Sequence, residues 1–144
     1  MKTLVQLLIV IVLAVVIWKW WQGHHSSPTA APAGATPSQE CAAAAAAAGE
    51  TWGSGVGRFA NPPYDTAAWD DFRSRIEQQA RRAQEKCLCG EPACNTAKGA
   101  MSDLRSLVNE MDQSLRSGSP PPSDLVQRQE AIDNAINSAR EAAK

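Results

Sequence analysis

From Leu4 to Trp21 the chain reads LVQLLIVIVLAVVIWKWW, a run in which Gln6 and Lys19 are the only strongly polar positions. So continuous an apolar stretch has no amphipathic face to lay on a water-soluble core. A hydrocarbon layer of about 30 Å is crossed by about 20 helical residues at 1.5 Å each, and this run is just long enough. Indole rings favour the headgroup level and a lysine beside them snorkels outward. Trp18, Lys19, Trp20 and Trp21 therefore mark the membrane interface. The expectation is a single transmembrane helix, a signal anchor over residues 1–22, meeting the lipid bilayer through residues 4–21.

A cleaved signal peptide begins in the same way, with a basic residue and an apolar run. Cleavage, however, wants small residues shortly after that run, where this chain has the bulky WKWWQ. Lys2 lies on one side of the anchor and Lys19 on the other, so the positive-inside rule barely discriminates orientation. A two-residue amino-terminal flank favours a cytosolic N-terminus with the long downstream region exported.

Four cysteines follow the anchor: Cys41, Cys87, Cys89 and Cys94. An even number in a short exported domain reads as two disulfides with three possible connectivities, and disulfides belong to oxidising compartments. A bridge within Cys87-Leu-Cys89 closes a strained ring, so Cys94 is expected to pair across a tight turn. The preferred pattern is Cys87–Cys94 with Cys41–Cys89, the second worth about 3 to 4 kcal/mol by chain entropy. The competing use of the same residues is a metal-binding or redox-sensing module. The C-x-C spacing is too tight for the usual zinc knuckle, and no C-x-x-C motif is present.

Residues 23–39 (GHHSSPTAAPAGATPSQ) are rich in Pro, Ala and Ser and carry no hydrophobic period, as expected of an extended linker. His24 and His25 fall within it, as an exposed pair with no further ligand nearby. Residues 40–64 combine an alanine-rich segment, Cys41 to Ala48, with a glycine- and aromatic-bearing stretch. Alanine's helix propensity, a Ser38 cap and a Gly49 stop predict a helix of about three turns. The loop predicted after it holds Trp52, Phe59 and Tyr64. Those aromatics either settle on the helices or form an exposed partner-binding site.

Residues 65–144 read as three amphipathic helices. The first, capped by Asp65 or Thr66, has an apolar stripe of Trp69, Phe72, Ile76, Ala80, Ala83 and Cys87. The second, with Asn95 as the expected cap, has Ala97, Met101, Leu104, Val108, Met111 and Leu115. The third, opened by Ser123 or Asp124, has Leu125, Gln129, Ile132, Ile136, Ala139 and Ala143. Steps of three and four define one buried face per helix. The fold expected is therefore all-α: a transmembrane helix followed by a small disulfide-stapled antiparallel three-helix bundle.

Function classes narrow by subtraction. Setting Lys2 and Lys19 aside from the 14 basic residues leaves 12 against 15 acidic ones, a net charge of −3 beyond the anchor. That argues against nucleic acid. No small-molecule substrate or cofactor is evident. The Gly53-Ser-Gly55-Val-Gly57 run has neither the preceding strand nor the Lys-Ser/Thr of a phosphate loop. Asp70 and Asp71 diverge by about 100° on a helix and form no acid–base dyad. A non-enzymatic interaction or structural module is expected, anchored in the bacterial inner membrane and facing the periplasm. It would bind a protein partner or self-associate through its helices. In layout such a chain resembles the inner-membrane subunits of phage lysis systems, although no residue motif carries the likeness and stapled three-helix packing departs from a long coiled coil.

Overall fold

The computed structural model describes residues 33–144, all of which lie beyond the expected anchor. The anchor, its interface residues Trp18, Lys19, Trp20 and Trp21, and the linker histidines fall outside the described residues. Among the described residues, no helix is long and apolar enough to cross a membrane.

Four helices make the bundle: α1 (Pro37–Gly55), α2 (Thr66–Lys86), α3 (Pro92–Arg116) and α4 (Leu125–Ala142), with a 3-10 turn at Val56–Phe59 after α1. Each helix runs antiparallel to the next. Cys41 in α1 meets Cys87 at the end of α2. Asp70 and Asp112 are tied to Arg116 and Arg73 across α2 and α3. Arg128 of α4 reaches back to Glu110 of α3, and Gly49 of α1 faces Asp133 and Ile136 of α4.

The predicted stripes of the second and third helices are buried faces, and that of the last is buried from Ile132 onward, with Leu125 and Gln129 only half-buried. Trp69, Phe72, Ile76, Ala80 and Ala83 of α2 are buried, as are Ile132, Ile136 and Ala139 of α4. On α3 the expected positions are buried together with Ala93, Cys94, Ala100 and Leu107. That wider face needs neighbours on more than one side, and three helices do not supply enough of them. The fourth is the alanine-rich segment.

This corrects the expected three-helix bundle over 65–144, and the expected short helix ending at Gly49 within 40–64. Helix α1 begins earlier, with Thr36 rather than Ser38 as cap. The Thr36 hydroxyl accepts from the Gln39 N–H at 3.3 Å, and the Gln39 side chain accepts from the Thr36 N–H at 3.0 Å, a reciprocal capping box. It then runs straight through Gly49 and Gly53. Glycine weakens a helix by about 1 kcal/mol relative to alanine, but here it lets backbones approach. A Cβ on Gly55 would lie 2.2 Å from Phe72 Cε2, and one on Gly49 would lie 2.8 Å from Ile136 Cδ1. Tertiary contact outweighs the local propensity.

Other helix ends follow local chemistry. The Asp65 carboxylate accepts from the Ala68 N–H at 2.9 Å, as a cap should. Helix α3 starts three residues before the expected Asn95 cap: Glu91 is its N-cap and Pro92 its first residue, where proline's missing N–H is not needed. Its C-terminus closes on Gly118, whose φ of 67° lets Ser119 N–H reach Ser114 C=O at 2.9 Å and Gly118 N–H reach Leu115 C=O at 3.2 Å. Both bonds of a Schellman motif are made.

Candidate functional site: the stapled end and the polar groove

Antiparallel packing sorts the chemistry-bearing residues to the two ends of the bundle. At the end where the chain enters α1 lie all four cysteines, joined as Cys41–Cys87 and Cys89–Cys94, with Cα separations of 4.8 and 5.8 Å. The expected pairing of Cys87 with Cys94 and Cys41 with Cys89 is thereby corrected. Cys87 is the C-cap of α2 and sits against α1, within reach of Cys41. Cys89, two residues further into the turn, is left to meet Cys94 in the first turn of α3. Cys41, Cys87 and Cys94 are buried and Cys89 is half-buried. An exposed ion pair, Lys86 with Glu40 at 3.4 Å, spans α2 and α1 beside them.

At the opposite end lie the aromatics. Trp52 and Phe59 are 1% and 3% exposed, so an exposed partner site at these residues is corrected to a core position. Trp52 belongs to α1, not to a loop. It stacks on Phe72 at 5.9 Å and meets Trp69 edge-on at 6.5 Å, while Phe59 contacts the same two rings at 5.5 and 5.1 Å. Tyr64 is half-buried against this core. The Arg58 guanidinium lies 5.5 Å from the Phe59 ring centroid and 5.8 Å from that of Phe72, within cation–π range.

A polar network that periodicity does not reveal borders the aromatic cluster. The Trp69 indole N–H donates to Asp112 Oδ1 at 2.9 Å, and Arg73 Nη1 donates to Oδ2 at 2.8 Å. Arg116 bonds both Asp112 and Asp70, the latter at 2.6 Å. Burial by itself would raise the Asp112 carboxyl; the Trp69 indole and the guanidiniums of Arg116 and Arg73 outweigh it and hold the pKa below its ordinary value. The Glu77 carboxylate, hydrogen-bonded to Arg73, raises that guanidinium further. Both oxygens of the Asp112 carboxylate have donors, as a structural cross-link between α2 and α3 requires.

One open groove of about 690 Å³ runs along the outer side of α1, lined by Ala46, Gly49, Gly53, Gln79, Asp133 and Arg140 among others. It exists because alanine and glycine leave that side of α1 without bulk. Burial raises the Asp133 carboxyl at its edge, and the buried Gln79 Oε1 has no hydrogen-bond partner. The other groups with shifted pKa, Arg73, Glu110, Asp112, Arg116 and Arg128, are committed to ion pairs with one another or with close neighbours. Among the described residues, no group of three or more His, Cys, Asp or Glu side chains is placed to hold a metal ion.

Fold and site together define a disulfide-stapled, antiparallel four-helix bundle. No protein-family model, no curated protein and no solved structure matches this chain.

Proposed function

We propose that this protein is a membrane-anchored, non-enzymatic helical module of the bacterial cell envelope, its bundle held in the periplasm to dock a protein partner or a second copy of itself. The pairing of all four cysteines carries the reading. A bundle stapled twice at the end nearest its amino-terminal segment suits an oxidising compartment, and the apolar run Leu4–Trp21 supplies a tether to the membrane bounding it. The competing metal-binding reading needs thiolates, whereas none of the four cysteines is free.

Topology and thiol state are tested together on the full chain in bacterial spheroplasts, with a membrane-impermeant maleimide. Labelling of intact spheroplasts only after reduction is the expected result. Labelling without reductant, and only after lysis, would place free thiols in the cytosol and overturn the proposal. Recovery of a protein whose mass lacks residues 1–22 would overturn the anchor.

A further inference from the structure

The two disulfides are built into different surroundings, and we infer that they have different chemistry: Cys89–Cys94 is a reversible, redox-responsive clasp on the α2–α3 turn, whereas Cys41–Cys87 is a permanent staple. Both sulfurs of the Cys41–Cys87 bridge belong to residues buried to 2% exposure or less. That bridge spans 46 positions and ties α1 to α2. In the other bridge Cys89 is half-buried, in a turn whose neighbouring Leu88 is 78% exposed. The ring it closes spans five positions within one turn. Opening it releases the link between Cys89 and Cys94 but leaves the α1–α2 cross-link and the helical core in place.

Access selects the direction of attack. A thiolate from solvent reaches Cys89, because Cys94 has no exposed surface. The electron pair of the broken bond is then left on Cys94.

With a dithiol as reductant, one of its sulfurs bonds to Cys89 Sγ as the Cys89–Cys94 bond breaks. Its second sulfur then attacks that mixed bond, releasing Cys89 and the oxidised, cyclic reductant. Two electrons and two protons have passed to the cysteine pair. Burial keeps the freed Cys94 sulfur beside Cys89, so the clasp closes again when an oxidant replaces the reductant. The partner implied is a thiol–disulfide exchange protein or a small dithiol acting on this face. Because both bridges belong to the bundle itself, the inference does not depend on the membrane reading.

The test uses the full chain in detergent micelles, treated with increasing dithiothreitol under native conditions, quenched in acid and freed of reductant, then denatured, blocked with N-ethylmaleimide and mapped by peptide mass. Labels are expected on Cys89 and Cys94 at a reductant concentration about tenfold below that labelling Cys41 and Cys87. Four labels rising together, or Cys41 and Cys87 first, would overturn it. Brief treatment with glutathione should leave the glutathione adduct on Cys89 and the maleimide on Cys94; the reverse arrangement defeats the proposed direction. The double variant Cys89→Ser, Cys94→Ser should keep its helical circular dichroism and unfold cooperatively on heating. Loss of the fold would show that the clasp is a staple after all.

Discussion

The Trp69 indole N–H donates to Asp112 Oδ1 at 2.9 Å, joining residues 43 positions apart on α2 and α3. The ring lies in the aromatic core and the carboxylate at its polar edge, so one bond locks the register of two helices. Arg73 and Arg116 complete the coordination of the same carboxylate.

Removing that acceptor should be costly. Asp112→Ala leaves an indole N–H and two guanidiniums without their shared partner, and is expected to lower stability by about 2 to 4 kcal/mol. Asp112→Asn, which keeps an acceptor for Trp69, should lose less. The folded-state pKa of Asp112 is depressed below its ordinary 3.8. Its contribution is therefore present above the unfolded value and lost as pH falls through the folded one. Urea unfolding at pH 7 and at pH 3 should show the variants converging on the wild type at the lower pH.

Two glycines should respond to alanine in opposite directions. At Gly55 the new methyl would collide with the Phe72 ring, and a loss of about 1 to 3 kcal/mol is expected. Gly99 lies on the exposed side of α3 with nothing within 4 Å of an added Cβ, so Gly99→Ala should gain about 0.5 to 1 kcal/mol. Thermal unfolding followed by circular dichroism measures both; equal effects would contradict the packing at α1.

The long-range staple should dominate the cross-link contribution. Closing a loop of 46 positions stabilises by about 4 kcal/mol in the chain-entropy model. The double variant Cys41→Ala, Cys87→Ala is expected to lose most of that amount in chemical denaturation, with a visibly lower midpoint.

Asp133 runs the other way from Asp112. Burial raises its carboxyl, so its favourable contribution is present below the unfolded pKa and lost as pH rises through the folded one. Asp133→Asn is accordingly expected to raise the melting temperature at pH 7 and leave it unchanged at pH 3. A variant less stable than wild type at neutral pH would show that the carboxylate has a partner in the groove.

Helix identity was legible wherever the period of apolar residues was. Trp69 to Ala83, Ala97 to Leu115 and Ile132 to Ala143 alternate by three and four because a helix in a small bundle buries one side and wets the other, and that asymmetry is written directly in residue order. The Asp65 cap, one of the two residues expected there, was legible too, since it is satisfied within a few residues. The Asp112 network and the groove beside Gly49 left no local trace: their members come from different helices.

What the sequence by itself determined, then, was three amphipathic helices and a set of cysteines suited to pairing. Only the tertiary structure decided that α1 continues to Gly55, that Trp52 is core, and that Cys41 pairs with Cys87. Glycine and alanine carry little side-chain information of their own; their value is the close approach they permit, which depends on Phe72 and Ile136 standing opposite. Disulfide partners are likewise chosen by which helix ends meet. A spacing along the chain limits the possible rings, but the packing of α1 on α2 selects among them.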